Sequence, residues 1–202
     1  DLSRTSFASV LAMLGELPLR RDDRHLVCCP LYHAAAPAFA AFVLGAGGCL
    51  VIPRHFDPAA VPALIERERV TSTLVVPTML GRLLQHEEAL RRHDLSSLRW
   101  VMSAAAPLPT DLARRVEERL GPVLYNMYGA TETGLVTLAR PGEHTARPGT
   151  IGRAIPGNDL RLLDGQGRQV PEGEVGELYV KNGTLVSGYH NDAEATRSAM
   201  RQ

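Results

Sequence analysis

Over its first two-thirds the chain alternates short apolar runs with longer stretches in which apolar positions recur every three or four residues. Short apolar runs closed by proline or glycine predict buried strands. They fall at residues 25–29, stopped by Pro30; at 49–52, entered through Gly47-Gly48; at 73–76, ended by Pro77; at 98–102; and at 123–125. The stretches between them predict helices. One runs over 6–16 with Thr5 as N-cap, another over 38–44, and a third from Asp57 to about Arg69. In the third, Asp57 is the expected cap, Pro58 takes the first helical position, and Val61, Leu64 and Ile65 share a side. Two more helices are expected over 78–85 and from Thr110 or Asp111 to Gly121, while the charged stretch before Ser97 reads as exposed chain.

Strands separated by helices imply parallel pairing with right-handed crossovers, an α/β fold. After about Leu138 the texture changes. Gly and Pro become dense, short β-like runs appear at 160–163 and 177–180, and Asp164-Gly165-Gln166-Gly167 is a tight-turn signal between them. The expected organisation is therefore an α/β subdomain over residues 1–138 and a small β-rich subdomain over 139–202.

Composition excludes more than it assigns. The 202 residues are 45% hydrophobic and 22% charged, with formal net charge zero, so there is neither a nucleic-acid footprint nor a polybasic membrane anchor. The longest apolar segment, 34–46, is broken by Pro37 and Gly45 and falls short of the roughly 20 residues that span a bilayer. Asp1-Leu2-Ser3-Arg4 carries no signal-peptide pattern. Three cysteines do not make a disulfide framework, and a reducing, cytoplasmic compartment is expected. Adjacent Cys28 and Cys29 should face opposite sides of a strand, as core residues and not as a metal pair.

In a parallel α/β sheet, ligands bind beyond the carboxyl ends of the strands. The chemistry is therefore sought at Pro30 to His33, Pro77-Thr78, Ser103 to Pro107 and Asn126 to Thr133. The last is richest. Gly129 permits a sharp turn and close approach, Thr131 offers a hydroxyl and an N–H, Glu132 offers an oxygen ligand for a hard cation, and Tyr128 offers a stacking face. Taken alone, the same residues also describe an ordinary turn.

Tyr128-Gly129-Ala130-Thr131-Glu132-Thr133 resembles the signature of the adenylate-forming superfamily, which includes acyl-CoA synthetases, peptide-synthetase adenylation domains and luciferases. Four further elements match in the same order: Pro30-Leu31-Tyr32-His33; Ser103-Ala104-Ala105-Ala106-Pro107-Leu108; Gly149-Thr150-Ile151-Gly152-Arg153-Ala154-Ile155-Pro156-Gly157; and Gly176-Glu177-Leu178-Tyr179-Val180 with Gly188-Tyr189. Together they cover nearly the whole chain and are more similar to fatty-acyl-CoA ligases than to amino-acid-activating domains.

The resemblance implies a two-step ligase. A small-molecule carboxylic acid attacks ATP to give acyl-AMP and pyrophosphate, and a thiol, usually coenzyme A, then takes the acyl group. It implies that Thr131 bonds the α-phosphate and that Glu132 binds Mg2+. It implies further that Tyr128 stacks on adenine, Asn126 bonds the adenine edge, and Ala105, Ala106 and Pro107 wall the other face, with Gly129 beside the nucleotide. His33 would gate and position the reacting groups. Thr78, Met79, Ser103, Ala104 and Met127 would line the acyl pocket, where the methyl of Ala104 stands in place of the glycine of many relatives. His25, His55, His86, His93, His144 and His190 are given no function, as residues of polar or connecting segments. Each of these positions also has a plain structural reading as core, cap or turn.

The family's Ser/Thr/Gly-rich phosphate loop, its Thr-Gly-Asp ribose element and its C-terminal lysine domain do not occur in these residues. The chain therefore reads as an internal fragment, inactive by itself and at risk of self-association through uncovered apolar surface. Two alternatives remain: an acyl-AMP ligase serving a carrier protein, and a non-catalytic nucleotide- or acyl-binding module. Nothing supports a hydrolase, since neither Ser103 nor Ser187 lies in a nucleophile elbow.

Overall fold

A computed structural model describes residues 7–200, with side chains from residue 12 onward. The expected cap Thr5 and the helix start at Ser6 lie outside the described residues. The elements run α1 (Phe7–Glu16), β1 (Arg24–Val27), α2 (Ala35–Ala46), β2 (Cys49–Val51), α3 (Val61–Glu68), β3 (Ser72–Val75), α4 (Pro77–Leu84), α5 (Glu87–Arg92), β4 (Trp100–Ser103) and α6 (Thr110–Leu120). They continue as β5 (Leu124–Ala130), β6 (Gly134–Ala139), α7 (Glu143–Ala146), β7 (Arg153–Ala154), β8 (Asp159–Leu163), β9 (Glu177–Lys181) and α8 (Ala193–Ala199).

One seven-stranded sheet has the order β2-β1-β3-β4-β5-β6-β7, and β8 pairs with β9 in a separate antiparallel pair. From β2 to β5 the pairing is parallel; β6 and β7 are antiparallel. The expected α/β class, a mainly parallel sheet with helices between its strands, is the observed one, and β7, which lies beyond residue 138, joins the same sheet through β6.

The strands β3 and β4 are buried at every position, as parallel strands covered on both faces must be. Alternation then sorts their side chains into two apolar layers. Val75 and Val101 join Leu26, Ile65, Leu80 and Val116 on one face; Leu74, Trp100 and Met102 join Phe39, Val43 and Ile155 on the other. Cys28 and Cys29 obey the same rule, one in each layer and both free. The helix α6 shows how surface helices are specified: Ala113 and Val116 face the core while Arg114 bridges Asp111 and Glu118 outside, before Gly121 ends the helix at φ 82°. By contrast α2 carries no charged residue, and Leu44 on its outer side is 55% exposed.

Three local expectations are corrected. Helix α3 begins at Val61, because the Asp57 side chain accepts from the Ala59 N–H and its carbonyl closes a separate turn on Ala60 and Val61. The charged stretch after Gln85 contains α5, held inward by Leu90, which is 1% exposed. His25 and His144 are core residues, not members of polar connections.

The amino-terminal end of the sheet is tied by a buried carboxylate. Asp23 accepts from the Arg20 N–H at 2.8 Å, the Thr71 hydroxyl at 2.5 Å and the Arg99 guanidinium at 2.6 Å. Beside it His25 lies 3.0 Å from the Ser72 hydroxyl and 5.3 Å, ring to ring, from Trp100. Burial lowers the His25 pKa from 6.5 to about 4, against an opposing pull from Asp23.

The unfolded chain protonates this histidine below pH 6.5 while the folded chain resists until about pH 4, so the stability it contributes is complete above pH 6.5 and is lost as the pH falls. Between pH 6.5 and 5 the loss should be about 2 kcal/mol, from 1.36 kcal/mol per unit. Urea midpoints at the two pH values should differ less in His25→Gln than in the natural chain, with a remainder from His144, whose pKa burial also lowers.

Candidate active site

The strands β1, β3, β4 and β5 are neighbours in the sheet; three of the four segments singled out by sequence follow the carboxyl ends of β1, β3 and β4, and the fourth, 126–133, is the outer part of β5 with its turn. Each has a local cause. Pro30 cannot continue the ladder that β1 began, and the chain turns there: the His33 N–H bonds the Pro30 carbonyl and the Ala36 N–H bonds the His33 carbonyl at the entry to α2. The His33 ring is exposed, 4.6 Å from the Tyr32 ring. Pro77 opens α4, placing Thr78 in the open and Met79 half-buried, its sulfur 3.8 Å from the Cys29 sulfur.

After β4 the Ala104 N–H bonds the Val75 carbonyl, so this residue still follows the sheet. Its side chain is 3% exposed and sits in the apolar layer with Phe39 and Met102. The next residue leaves abruptly. Ala105 has φ 66°, a left-handed conformation that costs a non-glycine residue roughly 1 kcal/mol or more. That twist turns Ala105, Ala106 and Pro107 outward, where all three are exposed.

The stretch after Tyr125 is not a loop. β5 runs on to Ala130 and folds back on β6 as an antiparallel hairpin. Its first half belongs to the core and its second half projects beyond it. Asn126, opposite Ser103 in the register, is 5% exposed, and neither its Oδ1 nor the Ser103 hydroxyl has a protein partner. Met127 is half-buried against the layer that contains Ala104, and Tyr128 is 43% exposed. The register shifts between Tyr128 and Gly129, and a Cβ at 129 would run into the Gly134 carbonyl oxygen. Only glycine permits that approach.

At the hairpin tip Thr131 is exposed and Glu132 half-buried, while the Thr133 hydroxyl accepts from the Ala130 N–H at 3.1 Å. Contacts from the far end of the chain hold this turn. Asn182 donates to the Thr133 carbonyl and to Asn158 Oδ1, both at 2.8 Å, and Asn158 donates to the carbonyls of Leu135 and Ile155. The Thr184 hydroxyl donates to the Thr133 carbonyl at 3.1 Å, and the Val186 N–H to the Glu132 carbonyl at 3.0 Å. Tyr189 donates its phenol to Glu132 Oε1 at 3.1 Å, and that carboxylate raises the phenol's pKa.

Sequence reasoning missed Asn158, Asn182 and Thr184 as site residues. Asn182-Gly183 was a readable turn signal, but its partner at 158 lies across the fold. A polar depression of about 690 Å3 lies elsewhere, around His86, Arg92 and Arg115, and shares no lining residue with this site. Among the described residues there is no cluster of three His, Cys, Asp or Glu side chains able to hold a metal by themselves.

The exposed hairpin tip, with its hydroxyl and carboxylate, and the buried amide and hydroxyl groups at adjacent strand ends belong to a mixed α/β fold with a mainly parallel seven-stranded sheet. The chain belongs to the AMP-binding enzyme family, whose model matches residues 3–190. It is 38% identical to a feruloyl-CoA synthase of an Amycolatopsis species, over 94% of this chain and 38% of that protein. It is also 38% identical to a medium/long-chain-fatty-acid–CoA ligase of Mycobacterium tuberculosis, over 91% of this chain and 32% of that protein. The fold matches the amide bond synthetase McbA from Marinactinospora thermotolerans with TM-score 0.84 and 33% identity, over 96% of this chain and 39% of that one. The chain thus spans between 32% and 39% of the length of these relatives.

Replacing Gly129 by alanine should force the two hairpin backbones apart and cost about 3 kcal/mol or more. Asn182→Ala leaves the Thr133 carbonyl its Thr184 partner and should cost about 1 kcal/mol. Urea denaturation of both variants checks the order.

Proposed function

We propose that these residues form part of an ATP-dependent acyl-CoA ligase, which joins a carboxylic acid to AMP with loss of pyrophosphate and then passes the acyl group to the thiol of coenzyme A. The observation that carries this reading is the pairing of Asn126 with Ser103. Two buried polar side chains without a protein partner, on adjacent strand ends, are what a ligand edge requires.

The donor set fits a nucleotide. Asn126 Oδ1 accepts from the adenine amino group, Tyr128 offers its face, and Ala105, Ala106 and Pro107 present no long side chain to obstruct the base. Gly129, by letting the hairpin close on the Gly134 carbonyl, brings the turn beside the nucleotide, and the Thr131 hydroxyl and N–H donate to the α-phosphate oxygens. Glu132 is the group suited to Mg2+, which when bound supplies neutralisation of phosphate charge. Aimed donors of this kind matter because an anion must attack a polyanion. His33, exposed at the entry to α2, positions the carboxylate and gates the thiol. Thr78, Met79, Ser103, Ala104 and Met127 line the acyl side, and the substrate class we assign is a fatty acid.

The unpaired cysteines among the described residues suit the cytoplasm, and no described helix is long and apolar enough to cross a membrane. A second reading changes the acceptor. The likeness to an amide bond synthetase favours an amine in place of the thiol. Transfer to a carrier-protein thiol is a third outcome of the same assay.

In the full-length protein, a panel of carboxylic acids should elicit pyrophosphate release, with acyl transfer dependent on CoA. Thr131→Ala and Glu132→Gln should each lower kcat/KM by about 10²-fold, the scale of losing one aimed group. The 202-residue chain, with one hydroxyl and one carboxylate for a triphosphate, should make no acyl-AMP, and acyl-AMP formed by it overturns that expectation; no acid-dependent pyrophosphate release from the full-length protein contradicts the assignment. Ala104→Gly, by deleting a buried methyl, should shift the preferred acyl length upward in the same panel; an unchanged preference removes Ala104 from the pocket wall.

A further inference from the structure

Four groups of the segment between β9 and α8, on Asn182, Thr184, Val186 and Tyr189, bond the hairpin at Glu132 and Thr133. Three of these bonds end on main-chain carbonyls and explain why the turn is held. The fourth does something different. Tyr189 reaches across 57 residues of sequence to donate its hydroxyl to a side-chain oxygen, Glu132 Oε1.

Tyr189 is itself anchored. Its N–H bonds the Thr196 hydroxyl at 2.9 Å, and that hydroxyl in turn donates to the Asp192 carbonyl at 2.7 Å. Asp192 caps α8 by accepting from the Ala195 N–H at 2.8 Å. Before it, Gly188 has φ 151°, and a Cβ there would press on the Thr196 side chain at 2.9 Å. The phenol is thus mounted on the start of α8, and its tip fixes one oxygen of a carboxylate on another part of the fold. No hydrogen bond of the described residues engages the other oxygen, Oε2.

We propose that Tyr189 is a positioning residue for Glu132: it holds Oε1 so that Oε2 is presented to the cation that accompanies the nucleotide. This rests on the reading of Glu132 as the cation ligand. The physical reason is orientation. A glutamate on a hairpin tip samples several rotamers, and a fixed donor on one oxygen removes that freedom before the cation arrives. Donors behind a metal-binding carboxylate typically change metal affinity by about 10- to 100-fold.

The test is ATP binding by calorimetry in the full-length protein, with and without Mg2+, for the natural sequence, Tyr189→Phe and Glu132→Gln. Phenylalanine keeps the ring and removes only the hydroxyl. The expected result is that Tyr189→Phe weakens ATP binding about tenfold in Mg2+ and leaves it unchanged without the ion, while Glu132→Gln abolishes the Mg2+ enhancement. An enhancement in Tyr189→Phe equal to the natural one, with Glu132→Gln losing it, overturns the role of Tyr189 and leaves Glu132 in place. An enhancement that survives in Glu132→Gln overturns the assignment of Glu132, and that of Tyr189 with it.

Discussion

The carbonyl oxygen of Gly134 occupies the place where a side chain at position 129 would be. That approach of two backbones lets one strand serve two purposes. Up to Asn126, β5 is a parallel strand paired with β4 and packed into the core. From Asn126 onward it also pairs antiparallel with β6, and past Tyr128 this hairpin projects beyond the core. A bulge marks the change, as bulges do where a strand must re-aim its side chains. Without glycine at 129 the strand would have no route from the scaffold to the hairpin tip, and Thr131 and Glu132 would not be presented beyond the sheet.

The two ends of the sheet are organised on different principles. At the amino-terminal end a buried carboxylate, Asp23, is satisfied by an amide, a hydroxyl and a guanidinium from three segments. A buried charge is tolerable only when it is paired and hydrogen-bonded this fully. At the carboxyl end the polar groups are left without protein partners: Ser103 and Asn126 in the interior, with the turned-out Ala105 beyond them. Strain and unpaired groups cost stability, and these three stand at the end of the strands where ligands of open α/β sheets bind.

The parallel half of the fold was legible because its signals are local. A strand such as 73–76 announces itself by a buried apolar run and a proline, and α6 by its charged outer face and terminal glycine. The failures were positions where a partner distant in sequence decided the outcome. Residues 87–92 look like solvated chain until Leu90 finds its place in the core. Residues 126–130 look like a turn because Asn, Gly and Ala have low strand propensity, and only pairing with β6 makes them a strand. His25 reads as polar, yet Trp100 and Ser72 enclose it. The candidate site divides the same way. Its motif residues were recognisable by resemblance, whereas Asn158 and Asn182, lying 24 residues apart, bond each other only because β8 and β9 pair next to the hairpin.

That last arrangement bears on how the site is held. A hairpin tip of three residues, Thr131 to Thr133, has no core of its own, and an isolated hairpin is marginal in water. Here its turn carbonyls are engaged by groups that follow β9, and Asn158, at the entry to β8, bonds the carbonyl of Leu135 in β6. The small antiparallel pair is therefore coupled to the hairpin through hydrogen bonds more than through apolar burial, since β8 and β9 expose or half-expose every residue. Such a coupling is directional and sensitive to geometry. A shift of the β8–β9 pair would have to break the bonds to Thr133 or carry the hairpin with it, and with the hairpin go Thr131 and Glu132.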